Sequence, residues 1–248
     1  MANFFKIFFN TGFVQQYLID RGEAFGAPMY IAIGGVSVLL MAIVSYLLGS
    51  LNFAIIISGR KYKDDIRSYG SKNAGMTNMM RTYGKSAAGL TLLGDALKAV
   101  VSCLIGYAVF GTIGAYIAGL FCIIGHMFPV YYGFKGGKGV VTAAITVLMC
   151  NPFVFLILFA IFVILVLLTK FISLGSIMCM LLYPLILDRI NRMMVGYSTL
   201  EVLFAILMAV LVIVKHKENI GRLLKGQESK FSFKKSVKAP EEKEDGQE

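Results

Sequence analysis

Apolar residues in this chain come in long blocks, separated by short segments that contain charges, glycines and prolines. The blocks show neither the alternation of a barrel strand nor the stripe of an amphipathic surface helix, which excludes a porin-like barrel and an interfacial anchor. Crossing the roughly 30 Å of bilayer hydrocarbon takes about 20 apolar residues in a helix. The pattern therefore predicts an all-α integral membrane protein, built as a bundle of transmembrane helices.

Cutting the chain at these interruptions predicts seven membrane spans. They run from Tyr30 to Ser58, Ala87 to Phe110, Thr112 to Val130, Val140 to Cys150, Pro152 to Leu168, Leu174 to Leu187 and Thr199 to Val214. The stretch from Val140 to Leu168 could also be one long kinked helix. A new helix start is favoured at Asn151 and Pro152, because Asn is a good N-cap and Pro suits the first helical position.

Positive charge supports this division and predicts the orientation. With seven spans, the basic loop from Gly59 to Ser86 shares one side of the membrane with the loop around Lys138, with Lys170 and with the tail after Lys215. The opposite loops are almost bare, apart from two arginines close to Asp188. Since positive loops remain in the cytoplasm, the N-terminus is expected outside and the C-terminus inside.

The two ends of the chain differ from the predicted bundle. Residues 1–29 form a Phe-rich leader that is expected to lie in the outer interface, and it lacks the flanks of a cleavable signal. Residues 30–228 form the seven-helix domain. Residues 229–248 have almost no apolar content and are expected to be disordered.

Composition agrees with the membrane class and limits the partners. With 57% hydrophobic and only 15% charged residues, the chain fits no soluble class. The net charge of +10 lies mostly in loops and tail, so nucleic acid is not an expected partner, whereas an anionic substrate is. The four cysteines lie in apolar stretches without ligand spacing and are interpreted as structural.

The sharpest candidate for chemistry is the segment Phe134 to Gly139, called here the glycine–lysine loop. Gly136, Gly137 and Gly139 alternate with Lys135 and Lys138 just before a predicted helix. Backbone N–H groups can approach an anion closely there, and the helix N-terminus adds positive potential, so phosphate is the natural ligand. It is not a Walker A loop, because a glycine follows Lys138. The alternative is a flexible basic turn between two spans.

Other polar segments fall on the same predicted side. They are a loop from Gly49-Ser50 through Arg60 and Asn73 to Asn78, a hydroxyl-rich helix entry from Thr169 to Ser176, and the segment Lys215 to Glu228 with His216. Taken singly, each has an ordinary explanation as a positive-inside loop, a helix cap or a lipid-facing basic segment.

Asp95 and Lys98 stand at positions i and i+3 inside a predicted span. Unpaired charges are costly in lipid, so they are expected to neutralise each other. A structural lock is favoured over a proton path, because no further carboxylates continue across the other spans.

Motifs for covalent or metal-dependent catalysis are missing from the sequence. No His is followed five residues later by Asp, and there is no Gly-x-Ser-x-Gly elbow or His-Glu-x-x-His helix. A covalent or metal mechanism therefore has little support, and no cofactor is expected.

These segments together resemble the PlsY family, the acyl-phosphate dependent glycerol 3-phosphate acyltransferases of bacteria, over about Gly49 to Glu228. The strongest match is Gly125-His126-Met127-Phe128-Pro129-Val130 with the glycine–lysine loop. A first motif is recognisable in Gly49-Ser50, Arg60 and Gly70 to Asn78, and a third in His216, Asn219, Arg222, Gly226 and Glu228. The chain departs at Asn52 and Lys72, where the family has Pro and Gly.

The resemblance implies a seven-span enzyme in a bacterial cell membrane, in contact with membrane lipid. The enzyme is expected to transfer an acyl group from acyl phosphate to the sn-1 hydroxyl of glycerol 3-phosphate. The resemblance also implies catalytic roles for Ser50, Arg60, Lys135, His216 and Asn219. Substrate-binding roles are implied for Asn73, Gly136, Gly137, Lys138, Gly139, Ser173 and Ser176.

Two other function classes are compatible with such a chain. A transporter for an anionic metabolite would need polar residues in several spans and repeated halves, and only Asp95 and Lys98 qualify. A scaffold acting through its charged tail would lose function on deletion of Ser229 to Glu248, with the polar loops intact.

Overall fold

The computed structural model describes residues 2–194 and 199–232. Within these ranges all regular structure is helical, which confirms the predicted all-α class. The α-helices are α1 (Ala2–Asn10), α2 (Phe13–Ser50), α3 (Phe53–Lys61), α4 (Met76–Thr82), α5 (Lys85–Met127), α6 (Val140–Cys150), α7 (Pro152–Thr169), α8 (Ile172–Met194), α9 (Thr199–Lys215) and α10 (Lys217–Leu224). Short 3-10 turns lie at Ile66–Ser68 and Val130–Tyr132.

Helix α5 is a hairpin whose two limbs reverse at Phe110 and Gly111. Gly111 has φ 56° and ψ −143°, outside the helical region and accessible at low cost only to glycine. A Cβ on Gly106 would lie 2.3 Å from the carbonyl oxygen of Gly114, so the limbs pack backbone against backbone next to the turn. The reversal agrees with the two separate spans predicted on either side of Gly111.

The helix break at Asn151 is present as predicted. The Asn151 side chain accepts a hydrogen bond from the backbone N–H of Val154 at 3.1 Å, and Pro152 occupies the first helical position of α7. These two residues end α6 and start a new helix rather than kinking a continuous one. The N-cap and N1 preferences were therefore a correct guide at this point.

The predicted first span, Tyr30 to Ser58, lies within one apolar segment, Gly26–Lys61, but a helix break that the sequence did not reveal divides it. Helix α2 ends at Ser50, and Asn52 caps a separate helix, α3, by accepting from Ile55 N–H at 3.2 Å. The apolar run continues through this break, so hydropathy alone does not reveal it. Similarly, α8 continues to Met194, about two turns beyond its predicted end.

Within residues 2–194 and 199–232, four helical segments are long and apolar enough to cross a membrane, or up to five if α9 and α10 count as one bent span. The segments are Gly26–Lys61, Lys85–Tyr132, Pro152–Thr169 and Ile172–Met194. One of them contains the reversal in α5. Helix α6 has 11 residues, about 16 Å, and is shorter than the hydrocarbon core.

The bundle has two ends, which are named here by their contacts. At the site end, Lys215 Nζ donates to the carbonyl oxygen of Met127 at 3.2 Å, joining α9 to α5. At the far end, the Tyr107 hydroxyl donates to Met149 O at 2.7 Å, joining α5 to α6. Because α6 begins next to Met127 and ends next to Tyr107, it runs from the site end to the far end.

The main apolar core lies between the second limb of α5 and helices α6 to α9. Its fully buried large side chains include Tyr116, Ile123, Met127, Tyr183 and Met208. Large apolar side chains also cover the outside, and Leu168 is 78% exposed. A contiguous apolar exterior around an apolar core is typical of a bundle that faces lipid.

The N-terminal leader is helical and packs at the far end. A Cβ on Gly12 would lie 2.6 Å from Gly111 N, and the Thr112 hydroxyl donates to Phe9 O at 2.8 Å. The leader therefore contacts the turn of the α5 hairpin, opposite the site end. Most of the tail predicted to be disordered, residues 233–248, lies outside the described residues.

Candidate active site

The glycine–lysine loop folds back onto the end of α5. The N–H groups of Gly136 and Gly137 donate to Met127 O at 3.3 Å and His126 O at 3.1 Å. An added Cβ would lie 2.1 Å from His126 O at Gly136 and 2.2 Å from His126 Nε2 at Gly137. These two glycines thus allow close packing, and their amides are used inside the protein rather than held open for a phosphate.

Gly139 ends the loop in the left-handed region, with φ 75° and ψ 10°, at the N-cap of α6. A side chain is unfavourable at this φ, and a Cβ would also lie 2.6 Å from Met127 Cε. The turn directs the chain into α6 and leaves Lys138 pointing toward α10, where its Nζ donates to Asn219 Oδ1 at 2.5 Å.

Glu228 lies at the centre of the polar cluster at the site end. Its Oε1 accepts from Ser173 Oγ and from Asn219 Nδ2, each at 2.7 Å, and its Oε2 accepts from Arg222 Nε at 2.7 Å. Although burial raises the pKa of Glu228, the hydrogen bonds from Ser173, Arg222 and Asn219 hold it below its usual value. The carboxylate is therefore ionised and gathers donors from α8 and α10.

Cationic side chains from three elements surround this carboxylate: Arg81 from α4, Lys138 from the loop and Arg222 from α10. Arg81 Nη2 donates to Ser229 O at 3.2 Å, next to Glu228. Burial and the neighbouring Arg222 charge lower the pKa of Lys138 to about 8, and burial lowers the pKa of Arg81. These three cations face two carboxylates, Glu228 and Glu218, which lies 4.0 Å from Arg222. A net positive charge remains, so a further anion would stabilise the cluster.

His216 stands at the 60° bend between α9 and α10 and is only 2% exposed. Its Nδ1 lies 2.7 Å from Val212 O, and because a carbonyl can only accept, Nδ1 carries the proton. Nε2 is then the accepting nitrogen of the neutral ring. Asn219 and Arg222 follow at intervals of three residues, which places all three side chains on one face of α10.

The predicted serines differ in their surroundings. Ser173 is bonded to Glu228 within the cluster, whereas Ser176 Oγ donates to Ile172 O of its own helix at 2.9 Å. Ser50 is fully buried at the end of α2, where its Oγ donates to Tyr46 O at 2.9 Å. The structure therefore joins Ser173 directly to the cluster and not the other two.

Arg60, Lys135 and Asn73 lie nearer the surface. Arg60 at the end of α3 and Lys135 in the glycine–lysine loop are exposed, and both are close to Tyr132. Asn73 is partly buried, with its Nδ2 3.0 Å from where a Cβ on Gly75 would lie. Among the described residues, none of these contacts joins Arg60, Lys135 or Asn73 to the cluster around Glu228.

Arg67 is a structural link that the sequence analysis did not single out. Its Nη1 donates to Tyr132 O at 2.9 Å and to Lys135 O at 3.0 Å, so it joins the first polar loop to the glycine–lysine loop. The Arg67 hydrogen bonds, against a smaller effect of burial, lower the pKa of Asp65, which pairs with the guanidinium. An arginine in a basic loop carries no signal for a partner more than 60 residues away.

The predicted pairing of Asp95 and Lys98 is confirmed, with Lys98 Nζ 2.9 Å from Asp95 Oδ1. Lys98 also contacts His126 and donates to the carbonyl oxygens of Gly49 and Leu51. The four cysteines are free. Across residues 2–194 and 199–232, no group of three or more His, Cys, Asp and Glu residues has the arrangement of a metal site.

A family model described as glycerol-3-phosphate acyltransferase matches residues 39–226. A protein of that name from Finegoldia magna is 41% identical over 196 residues, which cover 78% of this chain and 96% of the relative. Another, from Thermoanaerobacter pseudethanolicus, is 41% identical over 199 residues, covering 80% of this chain and 98% of the relative.

Two solved structures are also similar. They are crystal structures of PlsY, described as an integral membrane glycerol 3-phosphate acyltransferase, in a glycerol 3-phosphate form and a lysophosphatidic acid form. Both are 37% identical and cover 79% of this chain and 96% of the solved chain, with TM-scores of 0.72 and 0.69. The likeness therefore concerns a complete fold rather than a shared segment.

Proposed function

Since this chain belongs to the PlsY family of membrane-integral glycerol-3-phosphate acyltransferases, we propose that its acyl donor is an acyl phosphate. The acyl group passes to the sn-1 hydroxyl of glycerol 3-phosphate, giving lysophosphatidic acid and inorganic phosphate, the first step of bacterial phospholipid synthesis. The two bound forms of the solved relative support this acceptor and this product. The reaction needs no cofactor.

The observation that carries this proposal is the cluster of Arg81, Lys138 and Arg222 around Glu228 at one end of an apolar bundle. Both substrates carry phosphate, so the site must hold two anions close together. Guanidinium groups bind phosphate oxygens in a bidentate manner, and lysines add point charges. An acyl chain lying between helices would bring its phosphate head to this end.

The chemistry follows from the donor. An acyl phosphate is a mixed anhydride, so the acceptor hydroxyl can attack its carbonyl carbon directly while the bond from that carbon to the phosphate oxygen breaks. The hydroxyl proton passes either to His216 Nε2 or to the departing phosphate. Positioning and charge stabilisation then supply the catalysis, and no covalent acyl-enzyme forms.

The residues divide by role. Ser50, Arg60, Lys135, His216 and Asn219 act on the reacting groups. Asn73, Lys138, Ser173 and Ser176 hold the substrates. Gly136, Gly137 and Gly139 contribute by shaping the loop that carries Lys138, since the N–H groups of Gly136 and Gly137 are bonded to Met127 O and His126 O. The bond between Lys138 and Asn219 and the bond between Ser173 and Glu228 support a common location for members of both sets.

The donor can be tested with purified protein in detergent. With radiolabelled glycerol 3-phosphate, we expect synthetic acyl phosphate to give labelled lysophosphatidic acid and acyl-CoA to give none, because the cluster offers charge for a small phosphate head. Heat-denatured protein is the control for spontaneous acylation. Equal or better turnover with acyl-CoA would contradict the proposed donor.

The proposed membrane arrangement has seven spans, an outer N-terminus with its leader in the outer interface, and a cytoplasmic C-terminus and active site. The run of α6 from the site end to the far end supports counting it as a crossing despite its length. The basic loops at the site end support the cytoplasmic assignment.

Single-cysteine labelling tests this orientation. Lys225 and Arg189 are exposed and lie after α10 and near the end of α8. We expect a membrane-impermeant maleimide to label Arg189→Cys in intact cells, and Lys225→Cys only after permeabilisation. The unchanged chain, whose cysteines are mostly buried, measures the background. Labelling of both variants from the same side would refute the arrangement.

A further inference from the structure

Lys98 has more partners than neutralisation of Asp95 requires. Its Nζ lies 2.9 Å from Asp95 Oδ1 and 3.0 Å from His126 Nδ1, and it donates to Gly49 O and Leu51 O at 2.8 Å each. Asp95, Lys98 and His126 are 2%, 4% and 4% exposed. Because this buried ammonium contacts all four groups, it fixes their positions relative to one another.

The two carbonyl groups flank Ser50. They stand at the C-terminus of α2, where helix carbonyls lack intrahelical partners and the helix dipole favours a positive charge. Lys98 therefore caps α2 from a neighbouring helix and fixes the backbone on both sides of Ser50. The Ser50 hydroxyl oxygen in turn accepts a hydrogen bond from the backbone N–H of Val130 at 3.4 Å.

His126 carries the same network to the glycine–lysine loop. Its carbonyl oxygen accepts from Gly137 N–H, and its ring packs so closely on Gly137 that a Cβ there would lie 2.2 Å from Nε2. Rotation or displacement of the imidazole would move the loop. One buried ammonium thus contacts the carbonyl groups on either side of Ser50 and also His126, on which the glycine–lysine loop packs.

We infer that Lys98 is a positioning residue, which fixes the position of Ser50 relative to the glycine–lysine loop. This role rests on the proposed function, since it matters only if both segments contact substrate. A purely structural lock would need the charge pair alone. The positioning role needs the bonds to Gly49, Leu51 and His126.

A double variant separates the two roles. In Asp95→Leu/Lys98→Met, no buried charge is left unpaired, and such apolar replacement of a buried ion pair is often neutral or stabilising. We expect the variant to fold with a melting temperature near or somewhat below that of the wild-type protein, because three buried acceptors lose their donor. The kcat should fall about ten- to a hundred-fold because the site is displaced. The matched control is Leu97→Met, at the exposed neighbouring position of the same helix, which retains Asp95, Lys98 and their bonds and should keep kcat close to that of the wild-type protein.

Hydrogen exchange provides a readout that does not depend on turnover. Backbone amides in residues 48–52 and 134–139 should exchange faster in the double variant than in Leu97→Met. Wild-type kcat, wild-type exchange or loss of folding in the double variant would each overturn the positioning role. A wild-type protein that is inactive with acyl phosphate would instead overturn the proposed function, and the exchange comparison would still test Lys98.

Discussion

Replacement of His216 by alanine is expected to lower kcat by about 10²- to 10⁴-fold, the usual contribution of a positioned acid–base group. The Nδ1 proton is engaged by Val212 O, so the accepting Nε2 is the nitrogen available to a substrate hydroxyl or phosphate. His216 is nearly fully buried next to Lys138 and Glu228, which leaves little room for water to replace it. The measurement is the initial rate at saturating glycerol 3-phosphate and acyl phosphate.

The control is Lys217→Ala, one residue further along and exposed, which should retain wild-type turnover. Both variants should give the same elution profile in detergent and the same melting temperature. The balance between kcat and KM separates two roles of His216. A loss mainly in kcat supports the proton acceptor, and a loss mainly in KM supports orientation of phosphate by the ring. Near-normal values for both would refute the assignment.

Replacement of Lys138 by methionine is expected to raise the KM of the phosphorylated substrates about ten- to a hundred-fold. A hydrogen bond to a charged group contributes about 1.5–3 kcal/mol, and each 1.4 kcal/mol is a factor of ten. The ammonium is buried against Asn219 and belongs to the cationic cluster, so methionine removes a charge without opening a large cavity. Lys225→Met, at an exposed position after α10, is the matched control and should leave KM unchanged.

The pH dependence tests the same side chain. Since the pKa of Lys138 is lowered to about 8, the ammonium is charged below that pH and becomes neutral above it. The kcat/KM of the wild-type protein, which reports the free enzyme, should therefore fall as pH rises through about 8. Phosphate monoesters complete their ionisation near pH 6, so the substrate does not cause this decline.

In Lys138→Arg the charge persists throughout this range, and the decline should disappear or move to much higher pH. A wild-type profile that is flat between pH 7 and about 9, or an unchanged decline in the arginine variant, would contradict the assignment of this pKa to Lys138.

The helical segments were largely predictable because a segment that crosses the bilayer must be a long run of apolar residues. Long apolar blocks predicted the helices, and the capping preferences of Asn151 and Pro152 predicted a break within an apolar run. The same kind of cap at Asn52 was missed. There the apolar residues continue on both sides of Asn52, so hydropathy gives no sign of the break that the cap produces.

The site was predictable in part. The spacing of His216, Asn219 and Arg222 is local to one short helix, and the glycine–lysine loop is one segment, so both could be recognised in sequence. The bond of Arg67 to the carbonyl groups of Tyr132 and Lys135 joins segments that are distant along the chain. The packing of helices and loops decides which residues become partners of this kind. Neither hydropathy nor residue spacing in the sequence indicates them.

The sequence by itself determined the all-α membrane class, the helical hairpin about Gly111 and the break at Asn151, and it supplied the residues proposed to carry the chemistry, because each depends on local hydropathy, backbone preference or motif spacing. Only the tertiary structure decided that Glu228 gathers Ser173, Asn219 and Arg222, and that Lys98 caps α2 while contacting His126. A buried polar group needs a hydrogen-bond partner, and the three-dimensional packing of the helices decides which groups come close enough to be that partner.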